Sequence, residues 1–264
     1  MNMGFKKLIL APMDLLYRMK PELSLKILYR LKTGRKLNLK NPRTYSEKVQ
    51  WLKLNYKNKL LPICADKYKV RQYVKKCGLE SILIKLLWEG FDPNAIPFDD
   101  LPQKFVIKVT HGSGWNIICK DKSQLNIPKT IKKLKRWLKE KYLPCYGEWF
   151  YEVIKPRIII EEYLDDGTGK VPIDGNKKDN FWEMVSIPNH RRKMYDLEWK
   201  PFPITARYVD PNVHVEKPKE LDELLECARL LSKEFIHVRV DLYIVNSKIY
   251  FGELTFADEA GFGT

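Results

Sequence analysis

The segment His237–Phe256, HVRVDLYIV joined through Asn246-Ser247-Lys248 to IYFGELTF, constrains the fold most, because two runs rich in β-branched and aromatic residues around a short polar link read as a β-hairpin. A two-residue turn at Asn246-Ser247 would pair Val245 with Lys248 and set Glu253 opposite Val240, a carboxylate on an apolar face. A three-residue loop pairs Val245 with Ile249. Then Ile244 faces Tyr250, Leu242 faces Gly252, Val240 faces Leu254 and Val238 faces Phe256, which gives one continuous apolar side. The three-residue loop is therefore the expected one. It places Asp241 opposite Glu253 and Arg239 opposite Thr255 on the other side. Opposed residues have Cβ atoms ~4.5–5.5 Å apart, and like charges so placed need compensation. Two solutions stand open: a hard divalent cation such as Mg²⁺ held by the two acids, or an exposed acid pair neutralised by Arg239.

A second hairpin is expected over Gln103–Lys120, QKFVIKVTHGSGWNIICK. Phe105, Val106, Ile107 and Val109 form one strand and Ile117, Ile118 and Cys119 the other. Lys108 is the odd residue in the first strand, and a lysine there either snorkels to an edge or points at an anion. Between the strands, His111-Gly112-Ser113-Gly114 can turn backbone N–H groups towards one point, as an anion-binding nest does. A plain hairpin loop explains the same letters. The turn is not a Walker A loop, since GxxxxGK[ST] is absent. Ser113 is not a nucleophile elbow, because His111 and Trp115 stand where that motif needs glycines.

The rest of the chain reads as alternating helices and strands. Residues 1–37 form basic amphipathic helices, a solvated helix pair or a membrane-surface contact. Thr44 and Glu47 form a capping box for a helix with Val49, Trp51, Leu52 and Leu54 as its core face. Asp66-Lys67-Tyr68 opens a helix that ends at Gly78. Leu83–Trp88 is a strand, Thr130–Tyr142 a basic amphipathic helix, and Pro156–Asp166 a buried strand turning polar at its end, where Glu161 and Glu162 are candidate ligand contacts. Gly167–Asn180 reads as an exposed loop, Phe181–Pro188 as a strand, Asn189-His190-Arg191-Arg192 and Asp210-Pro211 as turns, and Leu221–Phe235 as a helix. Forty-eight Lys and Arg against 33 Asp and Glu leave a net charge of +15, which favours acidic partners. Five scattered cysteines without a CxxC pair indicate neither a disulfide framework nor a zinc site. With no apolar stretch near the ~20 residues of a membrane span, a cytoplasmic, possibly membrane-peripheral protein is expected.

Together these stretches resemble the ATP-grasp ligases, and within them the TupA-like group associated with teichuronopeptide and surface-polysaccharide biosynthesis. The resemblance runs through NPRTYSEKVQWLKL, DKYKVRQYV, FVIKVTHGSGWNIICKD, YGEWFYEVIKPRIIIEEYL, NHRRKMYDLEWKPF and VRVDLYIVNSKIYFGELTF. It implies an α+β ATP-grasp fold, with a basic helical region over residues 1–60 ahead of an ATP-grasp region over 61–264. Within that region, a nucleotide-clamp subdomain covers about 104–165 and a metal-binding and catalytic subdomain about 181–264. By the same resemblance, Lys67 and Lys108 look like the lysines that grip the ATP phosphates and His111-Gly112-Ser113-Gly114 like the loop that closes over them. Glu161-Glu162-Tyr163-Leu164 is similar to the strand that holds adenine and ribose. Asp241, Glu253 and Thr255 resemble the Mg²⁺ ligands, and Arg239 the arginine that steadies an acyl phosphate. The implied chemistry is amide formation at the expense of ATP, joining an amino acid to an acidic sugar or polymer such as a uronic acid or glutamyl chain. A nucleic-acid partner is not expected. The polar Asp174-Gly175-Asn176-Lys177-Lys178 departs from the aromatic-rich strand of relatives. A nucleotide-binding scaffold without turnover and a glycosyltransferase of the same pathway are the alternatives.

Overall fold

The structure, a computed structural model, describes residues 3–112, 114–165, 173–178, 181–186, 191–201 and 216–263. In chain order the helices are α1 (Met3–Met19), α2 (Pro21–Thr33), α3 (Tyr45–Asn55), α4 (Leu60–Ala65), α5 (Val70–Lys76), α6 (Ile127–Lys139), α7 (Trp149–Glu152) and α8 (Leu221–Ser232). The strands are β1 (Leu86–Gly90), β2 (Phe105–Val109), β3 (Asn116–Cys119), β4 (Ile158–Glu162), β5 (Ile173–Lys178), β6 (Phe181–Ser186), β7 (Arg191–Asp196), β8 (Arg239–Val245) and β9 (Lys248–Thr255). The chain divides into a helical unit of residues 1–62, 141–154 and 257–264, and a sheet-bearing unit of residues 63–140 and 155–256.

In the helical unit, Pro21 pre-sets the first turn of α2, and Gly34, at φ 72°, closes its end. The expected capping box forms: Thr44 Oγ accepts from the Glu47 N–H, and Glu47 reaches back to the Thr44 N–H. The core gathers Leu25, Tyr29 and Leu37, and beside them Leu28, Leu143 and Cys145, with Phe262 packed against both groups. The buried face of α3 is not the expected one. Trp51 is exposed, whereas Ser46, Val49, Gln50 and Lys53 are buried. The spacing 46, 49, 50, 53 is still a helical stripe, but its polar members satisfy backbone carbonyls instead of filling an apolar core. Lys53 Nζ donates to Tyr146 O and Ala260 O, each at 2.6 Å, and Gln50 Nε2 donates to Gly261 O at 2.8 Å. Burial pulls the Lys53 ammonium down to about 7, against the attraction of Glu148, whose own carboxyl burial pushes up to about 7.

The sheet-bearing unit holds two antiparallel sheets, with strand orders β1-β4-β2-β3 and β7-β6-β5-β8-β9. In β2, alternation sends Phe105, Ile107 and Val109 into a core shared with Ile158, Ile160 and the Leu134 and Trp137 face of α6. Lys108 is thereby committed to the opposite face, where it stands across from Ile159.

Three expectations change. Part of the stretch read as an exposed loop is a strand: β5 lies between β6 and β8 and pairs Asn176 with Asp241, because backbone pairing on both sides outweighs its weak strand propensity. Arg191 and Arg192 begin β7 instead of occupying a turn. Asn189, His190, Asp210 and Pro211 lie outside the described residues. The third change is the hairpin. Asn246 and Ser247, at φ 51° and 56°, form a two-residue turn with Val245 opposite Lys248. Leu242 faces Phe251, yet Asp241 faces Glu253 and Arg239 faces Thr255, because Gly252 is an extra residue, a β-bulge that resets the register. The loop expectation had the right acid pair for the wrong reason.

Candidate active site

The site assembles around α5 and the inner faces of the two sheets. Asp66 caps the chain ahead of α5, its Oδ1 accepting from the Tyr68 and Lys69 N–H groups at 2.9 and 3.2 Å. Burial raises its carboxyl pKa against these two bonds. The cap fixes Lys67 at the helix start, and Arg71, one turn on, projects from the same side. The two cations meet acids from different sheets. Lys67 Nζ donates to Glu253 Oε2 at 3.1 Å, and Arg71 Nη1 to Glu161 Oε1 at 3.0 Å. Arg71 Nη2 is anchored on Ile84 O at 2.9 Å.

Glu161 is the hub of the first sheet. It lies on β4 two residues beyond Ile159, the partner of Lys108, so its side chain shares the Lys108 face. Its second oxygen accepts from Lys108 Nζ at 2.7 Å, which makes a buried chain Ile84 O, Arg71, Glu161, Lys108. Glu162, by the same alternation, points the other way and is exposed, while Tyr163 and Leu164 follow the strand and are half-buried.

On the second sheet the acid pair is compensated by cations. Arg239 grips Asp241 with a two-pronged bond, Nε to Oδ1 and Nη2 to Oδ2, both 2.8 Å. Nη2 also reaches Thr255 Oγ1 at 3.3 Å and Glu253 Oε1 at 3.5 Å, and Thr255 donates to Glu253 Oε1 at 3.1 Å. Burial would raise the Glu253 carboxyl, but Lys67 and then Arg239, with hydrogen bonds from Lys67 and Thr255, hold it below the ordinary carboxylate range. The bulge glycine is obligatory for this arrangement: a Cβ on Gly252 would lie 2.7 Å from the Tyr243 ring and 3.0 Å from Asp241 O.

A cavity of ≈ 130 Å³ opens among Lys67, Arg71, Lys108, Glu161 and Glu253, with Trp115 and Tyr243 in its wall. That is below the ~300–1,000 Å³ of a pocket for a whole small molecule, and suits a short chain of phosphates. Gly114, at φ 74°, and Asn116 border it. His111 turns away. It is buried, packs at a tilt of 57° against Trp115 with 4.9 Å between ring centroids, and meets Glu140 O through Nε2 at 2.9 Å. Because the carbonyl can only accept, Nε2 carries the proton, and burial lowers the ring's pKa. Gly112 packs under the Trp115 ring, and Ser113 lies outside the described residues.

Of the residues singled out from sequence, Lys67, Lys108, Gly114, Glu161 and Glu253 line the cavity, with Asp241, Arg239 and Thr255 linked to it through Glu253. Glu162, Tyr163, Leu164, His111 and Gly112 do not line it. Arg71 escaped sequence reading. Its spacing of four from Lys67 was the available signal. No cluster of three or more His, Cys, Asp or Glu placed to hold a metal occurs among the described residues. Asp241, Glu253 and Thr255 offer hard oxygen donors of the kind Mg²⁺ takes, with Glu253 on the cavity and Asp241 held by Arg239 through both oxygens.

The L-amino acid ligase from Bacillus licheniformis superposes with a TM-score of 0.52 at 13% identity, over 93% of this chain and 57% of that one. D-alanine–D-alanine ligases from Helicobacter pylori (15% identity, 80% and 61% coverage, TM-score 0.42) and, complexed with ATP, from Bacillus anthracis (19%, 74% and 54%, 0.43) also align. The chain thus spans about half to three fifths of the length of these solved chains. No curated protein matches it. The Bacillus licheniformis likeness shows an ATP-grasp fold, as expected. The family model described as TupA-like ATPgrasp matches residues 47–264, and on that match the chain belongs to the TupA-like ATP-grasp family.

Proposed function

We propose that the protein is an ATP-dependent carboxylate–amine ligase that joins an amino acid to an acidic sugar or glutamyl chain during surface-polysaccharide synthesis. The observation that carries this reading is the meeting of Lys67, Arg71, Lys108 and Glu253, drawn from the turn before α5, α5 itself, β2 and β9, on one small cavity. Lys67 and Lys108 would hold the phosphates of the nucleotide, releasing Glu253 and Glu161 to do so. Gly114, in the loop between β2 and β3, borders the same cavity, and the His111–Gly114 loop would lie over the phosphates. The Glu161–Leu164 segment would face the base and ribose. Glu253, Asp241 and Thr255 would hold Mg²⁺, which would supply charge neutralisation during phosphoryl transfer. Arg239 would orient the acids and stabilise an acyl phosphate, so that the protein's share of catalysis is positioning and electrostatic complementarity.

Calorimetry tests the binding half. Wild-type protein should bind MgATP, and Lys108→Ala should weaken it at least about tenfold; an unchanged affinity removes the site assignment. The ligase half is tested by ADP release over pairs of uronic acids and amino acids, with products identified by mass. The grip of Arg239 on both oxygens of Asp241 favours a second reading, nucleotide binding without turnover. MgATP binding together with background ADP release for every pair would favour it.

A further inference from the structure

The family match begins at residue 47, after α1 and α2. These two helices carry an apolar surface that the fold does not use. Their inner faces are satisfied, Leu10, Met13 and Tyr17 of α1 and Leu25, Leu28 and Tyr29 of α2 packing in the cores of the helical unit. Other apolar side chains of both helices are exposed: Leu15 (62%) and Met19 (73%) on α1, and Leu23 (43%), Ile27 (37%) and Leu31 (73%) on α2. The helical path breaks between the two, because Lys20 stands at φ −142° and ψ 75° and Pro21 starts α2 afresh. Within α2, Leu23, Ile27 and Leu31 therefore form one surface stripe at helical spacing, and Leu15 and Met19 form a shorter one at the end of α1. A helix apolar on two sides is ordinarily buried on both.

The charge around the stripe says what covers it. The first 40 residues hold ten Lys and Arg against Asp14 and Glu22, a net +8 of the chain's +15. Lys20 just before α2 and Arg35 and Lys36 just after it are exposed at the two ends of the stripe. Lys32 belongs to the other side, its ammonium 4.8 Å from the Tyr146 ring centroid. A second copy of the chain would bring two such basic faces together, which like-charge repulsion opposes. Apolar side chains ringed by lysine and arginine match a surface that is anionic outside and hydrocarbon within. Among the described residues no helix is long and apolar enough to cross a membrane, so the fitting geometry lies along the surface.

We propose that the outer face of α2 docks on an anionic lipid bilayer, with Leu23, Ile27 and Leu31 entering the headgroup boundary. The docking is independent of nucleotide chemistry.

Flotation of the full chain with vesicles tests it. The protein should float with phosphatidylcholine vesicles containing phosphatidylglycerol, remain behind with phosphatidylcholine alone, and detach as salt rises. On anionic vesicles, amides of α2 in the unmutated chain should exchange hydrogen more slowly. The triple variant Leu23→Glu/Ile27→Glu/Leu31→Glu and the double variant Arg35→Glu/Lys36→Glu should each lose about tenfold or more in partitioning, with circular dichroism matching wild type. Absence of binding to anionic vesicles at low salt overturns the proposal. So does a triple variant that is folded and binds as wild type does, since the stripe would then play no part. A solution dimer abolished by the triple variant, without vesicle binding, would assign the face to self-association instead, and capture only by acidic proteins would overturn the lipid assignment likewise.

Discussion

Glu161 is where the structure makes its most quantitative demand. Its carboxylate, 8% exposed, is the acceptor for Lys108 at 2.7 Å and Arg71 at 3.0 Å, whose side chains are 23% and 15% exposed. Glu161→Gln keeps the shape and one acceptor but removes the negative charge, leaving two cations facing each other around a neutral amide. Charge-assisted bonds of this kind contribute about 1.5–3 kcal/mol each, and breaking a buried ion pair by removing one partner costs about 3–5 kcal/mol. The larger range applies, because neither cation has left the protein interior. For a unit of this size, each kcal/mol lowers the melting temperature by about 2–4 °C, so the fall should be about 6–20 °C. The freed charge also has a sign that can be read. An anion in the cavity now meets two cations whose counter-ion is gone, so tripolyphosphate, which lacks a base and ribose, should raise the melting temperature of the variant more than that of wild type. Thermal unfolding by near-ultraviolet circular dichroism, with and without tripolyphosphate, gives both quantities. A loss below about 1 kcal/mol, the level of an exposed pair, or equal protection of both proteins, refutes the hub role of Glu161.

Other consequences follow from the same geometry. Gly252→Ala forces a Cβ against the Tyr243 ring and Asp241 O, and overpacking of this kind should cost about 1–3 kcal/mol in urea unfolding and weaken MgATP binding by displacing Glu253. Because Lys67 and Arg239 hold the Glu253 carboxyl below its ordinary value of 4.5, its contribution is complete above that value and is lost as pH falls through the lowered one. The stability gap between wild type and Glu253→Gln should therefore close in acid, and a gap that is flat with pH would contradict the ion pairing. Lys53 behaves in the opposite sense. With its ammonium drawn from 10.5 to about 7 by burial, the unfolded chain binds the extra proton between these values, so stability should rise with pH across that window in wild type and not in Lys53→Met. Trp51→Ala, at an exposed position of α3, should change stability by less than about 0.5 kcal/mol.

Much of the sheet architecture was legible because alternation is a local property. Phe105, Ile107 and Val109 announce one face of β2 and thereby assign Lys108 to the other. The capping box at Thr44 and Glu47 is equally local. What sequence could not supply were features decided by distant partners. The buried stripe of α3 looks polar until the carbonyls of Tyr146, Ala260 and Gly261 appear beside it. β5 lacks the composition of a strand and is one because β6 and β8 flank it. The hairpin register was inferred from apolar matching alone, which cannot distinguish an extra residue in the turn from an extra residue at Gly252. Both resolve the same mismatch at the acids, and only the backbone at Asn246 and Ser247 tells them apart. Arg71 was passed over because its partner, Glu161, is 90 residues away.

The helical unit is sewn together from three stretches far apart in the chain: Ser46, Gln50 and Lys53 on α3 bond the carbonyls of Gly263, Gly261 and Ala260. During synthesis on a ribosome these partners emerge about 200 residues after the helix that needs them, some tens of seconds at ordinary elongation rates. The helix α3, though made before the sheets, must therefore wait with a lysine and a glutamine unsatisfied while the sheets assemble, and chaperone capture of nascent chains should fall only once residues 257–264 have cleared the exit tunnel.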